Sequence, residues 1–183
     1  MKKAVLAAVL MACAAAYALA ESFSGNLLIR PDWTHKKTGA TIASESFGTI
    51  YNWTFTSGNS TNQMNQLWVS RRTLASNAVE TINIAGGITN SFGTVLTMAK
   101  VRLIWIGANS TNAGPILVGG ADANTFSTWA GDDSDKVRIR PGGGVMLIAP
   151  DATGFAVSTN GNLAVTNESA AAVSYDIYIG ASD

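Results

Sequence analysis

Apolar and polar residues alternate strictly in three stretches of this 183-residue chain. In Ile50–Phe55, the side chains of Tyr51, Trp53 and Phe55 share one face and Asn52 and Thr54 the other. In Lys136–Arg140, Val137 and Ile139 oppose Lys136, Arg138 and Arg140. In Val173–Ile179, Val173, Tyr175, Ile177 and Ile179 oppose Ser174, Asp176 and Tyr178. A period of two sends successive side chains to opposite faces, so each stretch predicts a strand with one face buried. Leu27–Arg30, Thr81–Ile84, Val95–Ile106, Ile116–Val118, Val145–Ala149, Phe155–Ser158 and Leu163–Thr166 read as strands without clean alternation. Val101–Ile106 is apolar on both faces apart from Arg102, which predicts a central strand covered on both sides, with Trp105 in the core.

Turn residues separate these runs at Ser57-Gly58-Asn59, Ala85-Gly86-Gly87, Gly119-Gly120 and Asn160-Gly161-Asn162. Asn160-Gly161 between two short apolar runs predicts a hairpin. In Arg140-Pro141-Gly142-Gly143-Gly144, the proline suits a turn and the glycines supply a positive φ. Val145–Ala149 then reads as a buried strand. Helical spacing is confined to Met64, Leu67 and Trp68, and to a short turn at Phe126 and Trp129, both below the length of a stable amphipathic helix. The expected fold is all-β: an antiparallel β-sandwich, jelly-roll-like, with few short helical turns. It forms a single domain over residues 21–183, with 21–61 an N-terminal arm or an added hairpin.

Residues 1–20 stand apart from this pattern. Lys2 and Lys3 precede an apolar run that ends in Ala18-Leu19-Ala20, the layout of a signal peptide cleaved near Ala20. The run is shorter than the roughly 20 residues a membrane span needs, so no span is expected in the mature chain. Leu10-Met11-Ala12-Cys13 resembles a lipoprotein box, but it sits early and the apolar run continues past it, so a lipid anchor at Cys13 is not expected. The leader predicts a secreted protein, extracellular or periplasmic. Cys13 is the only cysteine, so the mature chain has no disulfide. Without Lys2 and Lys3, 10 basic residues face 12 acidic ones, a net charge of −2 that offers nucleic acid no electrostatic attraction.

No set of residues converges on catalysis. Gly142-Gly143-Gly144 is followed by the strand pattern Val145–Ile148 and by no lysine, so it lacks the parts of a phosphate loop. His35, the single histidine, lies in the polar stretch Trp33–Lys37, and no Gly-x-Ser-x-Gly elbow accompanies it. Asp132, Asp133 and Asp135 put three carboxylates on one turn, the ligand type calcium prefers, but without the spacing of an EF-hand or its closing Glu. Zinc ligands are lacking. Catalytic, cofactor and metal sites are therefore all expected to be absent, and the protein is not expected to be an enzyme. Five tryptophans, Trp33, Trp53, Trp68, Trp105 and Trp129, leave room for an aromatic binding surface, although most should fill the core. Asn52, Asn59, Asn109 and Asn167 fit the glycosylation sequon but read as ordinary polar loop residues.

Three stretches, "NQLWVSRRTLASNAVETINIAGGITNSFG", "VGGADANTFSTWAGDDSDKVRIRPGGGVMLIAPDATGFAV" and "AVSYDIYIGASD", carry a further signal. Over about residues 62–183 the chain resembles small virion-associated structural proteins of tailed bacteriophages and prophages. The resemblance implies a β-sandwich and a non-enzymatic structural role, as a capsid decoration or fibre-like protein. The partners it implies are copies of the same chain, trimers included, and other virion or cell-surface proteins. The leader departs from that pattern, because virion proteins assembled in the cytoplasm need no export. A prophage-derived secreted surface protein is therefore expected alongside a virion-surface one. The alternative is a secreted β-sandwich module that binds a glycan or cell surface through aromatic and Asn side chains.

Overall fold

The computed structural model describes residues 22–37, 43–159 and 161–183. Residues 1–21, Cys13 and the expected leader among them, lie outside these. The described chain is all-β and antiparallel in every strand pairing, with no helix among the described residues.

Strands β1 (Ser24–Ile29), β2 (Asp32–Lys37), β3 (Ala43–Gly48) and β4 (Tyr51–Thr56) form a single long ribbon. β1 pairs with β4 from Ser24↔Thr56 to Ile29↔Tyr51, and β2 with β3 from Asp32↔Gly48 to Lys37↔Ala43. The register is the same in both halves, so Arg30-Pro31 merely interrupts one arm, and Thr49 N donates to Pro31 O across the break at 3.4 Å. Pro31 has no N–H to give the ladder, which is why the pairing pauses there. At the usual rise per residue each arm is about 45 Å long.

The remaining strands are β5 (Gln66–Leu74), β6 (Val79–Asn83), β7 (Ile88–Thr89), β8 (Val95–Leu96), β9 (Lys100–Ala108) and β10 (Ile116–Gly119), followed by β11 (Lys136–Ile139), β12 (Gly144–Ile148), β13 (Phe155–Ala156), β14 (Asn162–Asn167) and β15 (Val173–Ser182). One sheet runs β11-β10-β14-β6, the other β12-β9-β15-β5 with β13 also on β9, and β7 and β8 pair as a small hairpin. The two sheets pack face to face as a sandwich. Ile82, Ile116, Val118, Ile139, Leu163 and Val165 of the first meet Trp68, Leu74, Ile104, Ile106, Tyr175, Ile177 and Ile179 of the second in one buried cluster. Each such fully buried aliphatic side chain contributes about 1.5–3 kcal/mol. The β15 alternation is realised: Val173, Tyr175, Ile177 and Ile179 are buried, while Tyr178 is exposed. The strand order does not establish a jelly roll.

Several local expectations are corrected. Met64, Leu67 and Trp68 form no helical turn: Leu67 and Trp68 belong to β5, which pairs with β15 from Val173↔Leu74 to Ala181↔Gln66. That long ladder outweighs a one-turn helix, whose nucleation is unfavourable. Asn160-Gly161 makes no hairpin, because β13 belongs to one sheet and β14 to the other; Asn160 itself lies outside the described residues. The run Val95–Ile106 breaks into β8 and β9. β9 is central in its sheet, but among the described residues no second sheet covers its outer face, so Trp105 is only partly buried and lies outside the core. Val145–Ala149 is not a core strand: β12 is an edge strand, and its apolar residues are half-buried. The turn before it is type II, with Pro141 second, Gly142 at φ 78° and Gly143 N donating to Arg140 O at 2.8 Å. It carries the chain from one sheet to the other.

Candidate functional site

The face of the β12-β9-β15-β5 sheet that points away from the sandwich is the most distinctive surface of the molecule. The register aligns Met146, Trp105, Tyr178 and Val69 in one row across four strands. The next row is Gly144, Gly107, Asp176 and Arg71. Trp105 and Tyr178 meet edge to face, with ring centroids 5.1 Å apart and planes at 71°. Trp105 leans along its strand over the glycines: a Cβ on Gly107 would meet its six-membered ring at 2.4 Å, and one on Gly144 its Nε1 at 3.6 Å. Gly107 is thus what allows the indole to rest close to the sheet, whereas the distance at Gly144 is ordinary contact.

Beside the aromatic pair, Arg71 grips Asp176 with two hydrogen bonds, Nε to Oδ1 at 2.6 Å and Nη2 to Oδ2 at 2.8 Å. The hydrogen bond from the Arg71 guanidinium, with its charge adding less, holds the Asp176 carboxyl below the usual carboxylate range, against the opposing effect of burial. Asp176 therefore stays ionised and fixed in direction. Asn109, Ser110, the Gly142-Gly143-Gly144 turn and Met146 complete a groove over Trp105. Asn109 Oδ1 accepts from Thr111 N and Oγ1, which pins the rim of the groove.

A second polar cluster bridges the two sheets. Tyr175 Oη donates to Glu80 Oε2 at 2.9 Å, and Arg72 pairs with the same carboxylate. Burial pushes the Tyr175 phenol up to about 12, against the pull of Arg72. These groups tie sheet to sheet.

The aspartate turn proves to be self-contained. Asp135 Oδ2 accepts from Gly131 N and Asp132 N, Asp132 Oδ1 accepts from Ser134 N and Oγ, and Asp133 Oδ1 accepts from Ser127 Oγ. The Ser134 amide and hydroxyl hold the Asp132 carboxyl below its ordinary range. The carboxylates bond to the turn itself, and no group of three or more His, Cys, Asp or Glu among the described residues is arranged to hold a metal.

His35 falls on β2 opposite Glu45 in the ribbon, and Trp33 on the same strand opposite Phe47. Trp53 stacks on Tyr51 in the ribbon, with ring centroids 5.8 Å apart and planes at 10°. Trp68 is buried in the core, and Trp129 packs against it with Nε1 donating to Phe126 O at 2.8 Å. Of the tryptophans whose side chains are described, Trp105 alone combines a sheet face, an aromatic neighbour and a charged pair.

Two residues matter more than the sequence reading allowed. Asn167, read as a loop residue, ends β14 and is buried, with Nδ2 donating to Ala75 O and Ala171 O and Oδ1 accepting from Ser169 N. Arg102 is fully buried at the β-bulge where β9 and β15 change register. Its Nη1 donates to Asp151 O, and its Nη2 to Asn59 O at 2.9 Å and Ala152 O at 3.1 Å. A lone charge inside an apolar strand was the signal available for it.

Comparison with family models, curated proteins and solved structures finds no match to this chain.

Proposed function

We propose that this is a non-enzymatic structural protein that acts by self-association, in a phage virion or as a prophage-derived protein on the cell surface. The ribbon is the observation that carries this reading. Leu27, Ile29, Tyr51 and Trp53 share one of its faces. No third strand extends its sheets among the described residues. Tyr51 is 50% exposed, and Leu28 and Ile50 are about 60% exposed on the same arms. An isolated two-stranded hairpin is marginally stable in water, so a ribbon of this length calls for an apolar partner. Its open edges and the like-on-like symmetry of homo-oligomers make a second and third copy of the chain the natural cover. The base is anchored, since Phe55 and Met64 are buried where the ribbon meets the sandwich and Met64 N donates to Thr56 O at 3.0 Å.

Light scattering on the mature protein, residues 21–183, tests this. A defined oligomer is expected, with the Tyr51→Ser/Trp53→Ser double variant shifted to monomer while its sandwich melts cooperatively. A wild-type monomer at high micromolar concentration would overturn the reading.

A further inference from the structure

We infer that the groove over Trp105 is a binding site for a neutral pyranose sugar, with the indole as the stacking platform. The inference stands apart from the self-association reading, because it uses residues of β9, β12 and β15 instead of the ribbon's Tyr51–Trp53 face, and a different kind of partner.

Four features converge there. The first is aromatic. Trp105 is partly buried on a sheet face, its six-membered ring set down on Gly107, and Tyr178 packs against it at 71° and holds it in place. A sugar ring carries flat patches of C–H bonds that pack on such a surface, and Trp and Tyr offer an apolar body with a polar tip. The second is the indole donor. Trp129 satisfies its Nε1 on Phe126 O, whereas Trp105 Nε1 is not buried and bonds no acceptor among the described residues. It faces the groove as a free donor.

The third is the Asp176–Arg71 pair in the adjoining row. Asp176 uses one lone pair on each oxygen for Arg71, which leaves acceptor capacity for sugar hydroxyls, and the pair fixes where those lone pairs point. Arg71 also balances the carboxylate charge, so the site has no net charge to recruit an anionic or cationic ligand. That is the reason for choosing a neutral sugar. The fourth is the rim, where the hydroxyl of Ser110 and the amide of Asn109 add hydrogen-bonding groups at the open end of the groove. An aromatic platform, apolar neighbours and a few fixed polar groups are the general composition of a small-molecule site. The competing occupant for such a face, another copy of the chain, would be met by the apolar row Val69, Tyr178 and Trp105 and would leave the Arg71–Asp176 pair without a role.

The probes are methyl β-D-galactopyranoside and methyl β-D-glucopyranoside, titrated to high millimolar against ¹⁵N-labelled residues 21–183. The indole N–H resonance of Trp105, assigned by its loss in Trp105→Phe, is expected to shift saturably with at least one of the two. Ligand-observed saturation transfer should appear with wild type, fall several-fold in Asp176→Asn and vanish in Trp105→Ala. Wild-type saturation transfer needs no variant, so misfolding of Trp105→Ala leaves the test intact. The proposal fails if neither glycoside moves the Trp105 indole, or if that resonance responds only to protein concentration, which would mean that a second copy covers the face. It fails equally if the glycosides perturb Trp53 and leave Trp105 unchanged.

Discussion

Replacing Arg102 with Met keeps an unbranched apolar stem, somewhat shorter than the arginine's, and removes the guanidinium. In the native protein that group holds three backbone carbonyls, those of Asn59, Asp151 and Ala152, on two separate loops. Hydrogen bonds to a charged group contribute about 1.5–3 kcal/mol each, so the three together give about 5–9 kcal/mol. Against this stands the penalty of taking a fully buried cation out of water, several kcal/mol per ion. That penalty is visible in the group itself, since burial lowers the Arg102 pKa despite the opposing charge of Asp151. Among the described residues no carboxylate oxygen bonds the guanidinium, and its Nε has no partner. Asn59, Asp151 and Ala152 are exposed residues, so their freed carbonyls regain some water. The balance is a destabilisation of about 2–4 kcal/mol. With a urea slope of about 2 kcal/mol per molar, the midpoint should fall by about 1–2 M at unchanged slope. Amide exchange should speed up in residues 57–62 and 150–154 before it does in β9 and β15. Arg102→Lys should recover less than half of the loss, because an ammonium cannot fork across two loops. An Arg102→Met protein as stable as wild type, with both loops still protected, would show that desolvation outweighs the three bonds and would refute the reasoning.

Two further outcomes follow from other parts of the molecule. Tyr175, with its phenol pushed up to about 12, keeps its proton in the folded state while an unfolded tyrosine loses it near pH 10; stability is therefore full below about pH 10 and declines as pH rises towards 12, by about 2–3 kcal/mol in all. Urea midpoints at about pH 9 and about pH 11.5 should differ in wild type and nearly coincide in Tyr175→Phe; an equal alkaline loss in the variant would assign it to other groups. Gly142, at φ 78°, should tolerate Val far worse than Gly143 tolerates Ala: Gly142→Val is expected to lose about 1–3 kcal/mol by thermal melt, and equal effects at both positions would contradict the type II turn.

Periodicity carried much of the fold, and its successes and failures have one explanation. β15 and β11 were legible because one side of each faces the core and the other faces solvent, so burial alternates with residue number. β5 was misread because the spacing of Met64, Leu67 and Trp68 also suits one helical turn, and only the ladder to β15 decides between the two. The Trp105 face is hidden for a related reason. Val101–Ile106 is apolar on both sides, and nothing local distinguishes a strand covered by a second layer from one whose outer row presents an aromatic patch.

The sequence by itself determined the all-β class, the positions of most strands and turns, and the absence of disulfide support, because these depend on alternation, turn chemistry and composition within a few residues. The tertiary structure alone decided which strands share a sheet, which sent β13 and β14 to opposite layers. It alone set Trp105 beside Tyr178, Gly144 and Asp176, residues about 40 to 70 positions away in the chain. It also turned Arg102 inward to three carbonyls. Each of these depends on pairing between distant segments, and pairing partners leave no mark in the local pattern of either segment.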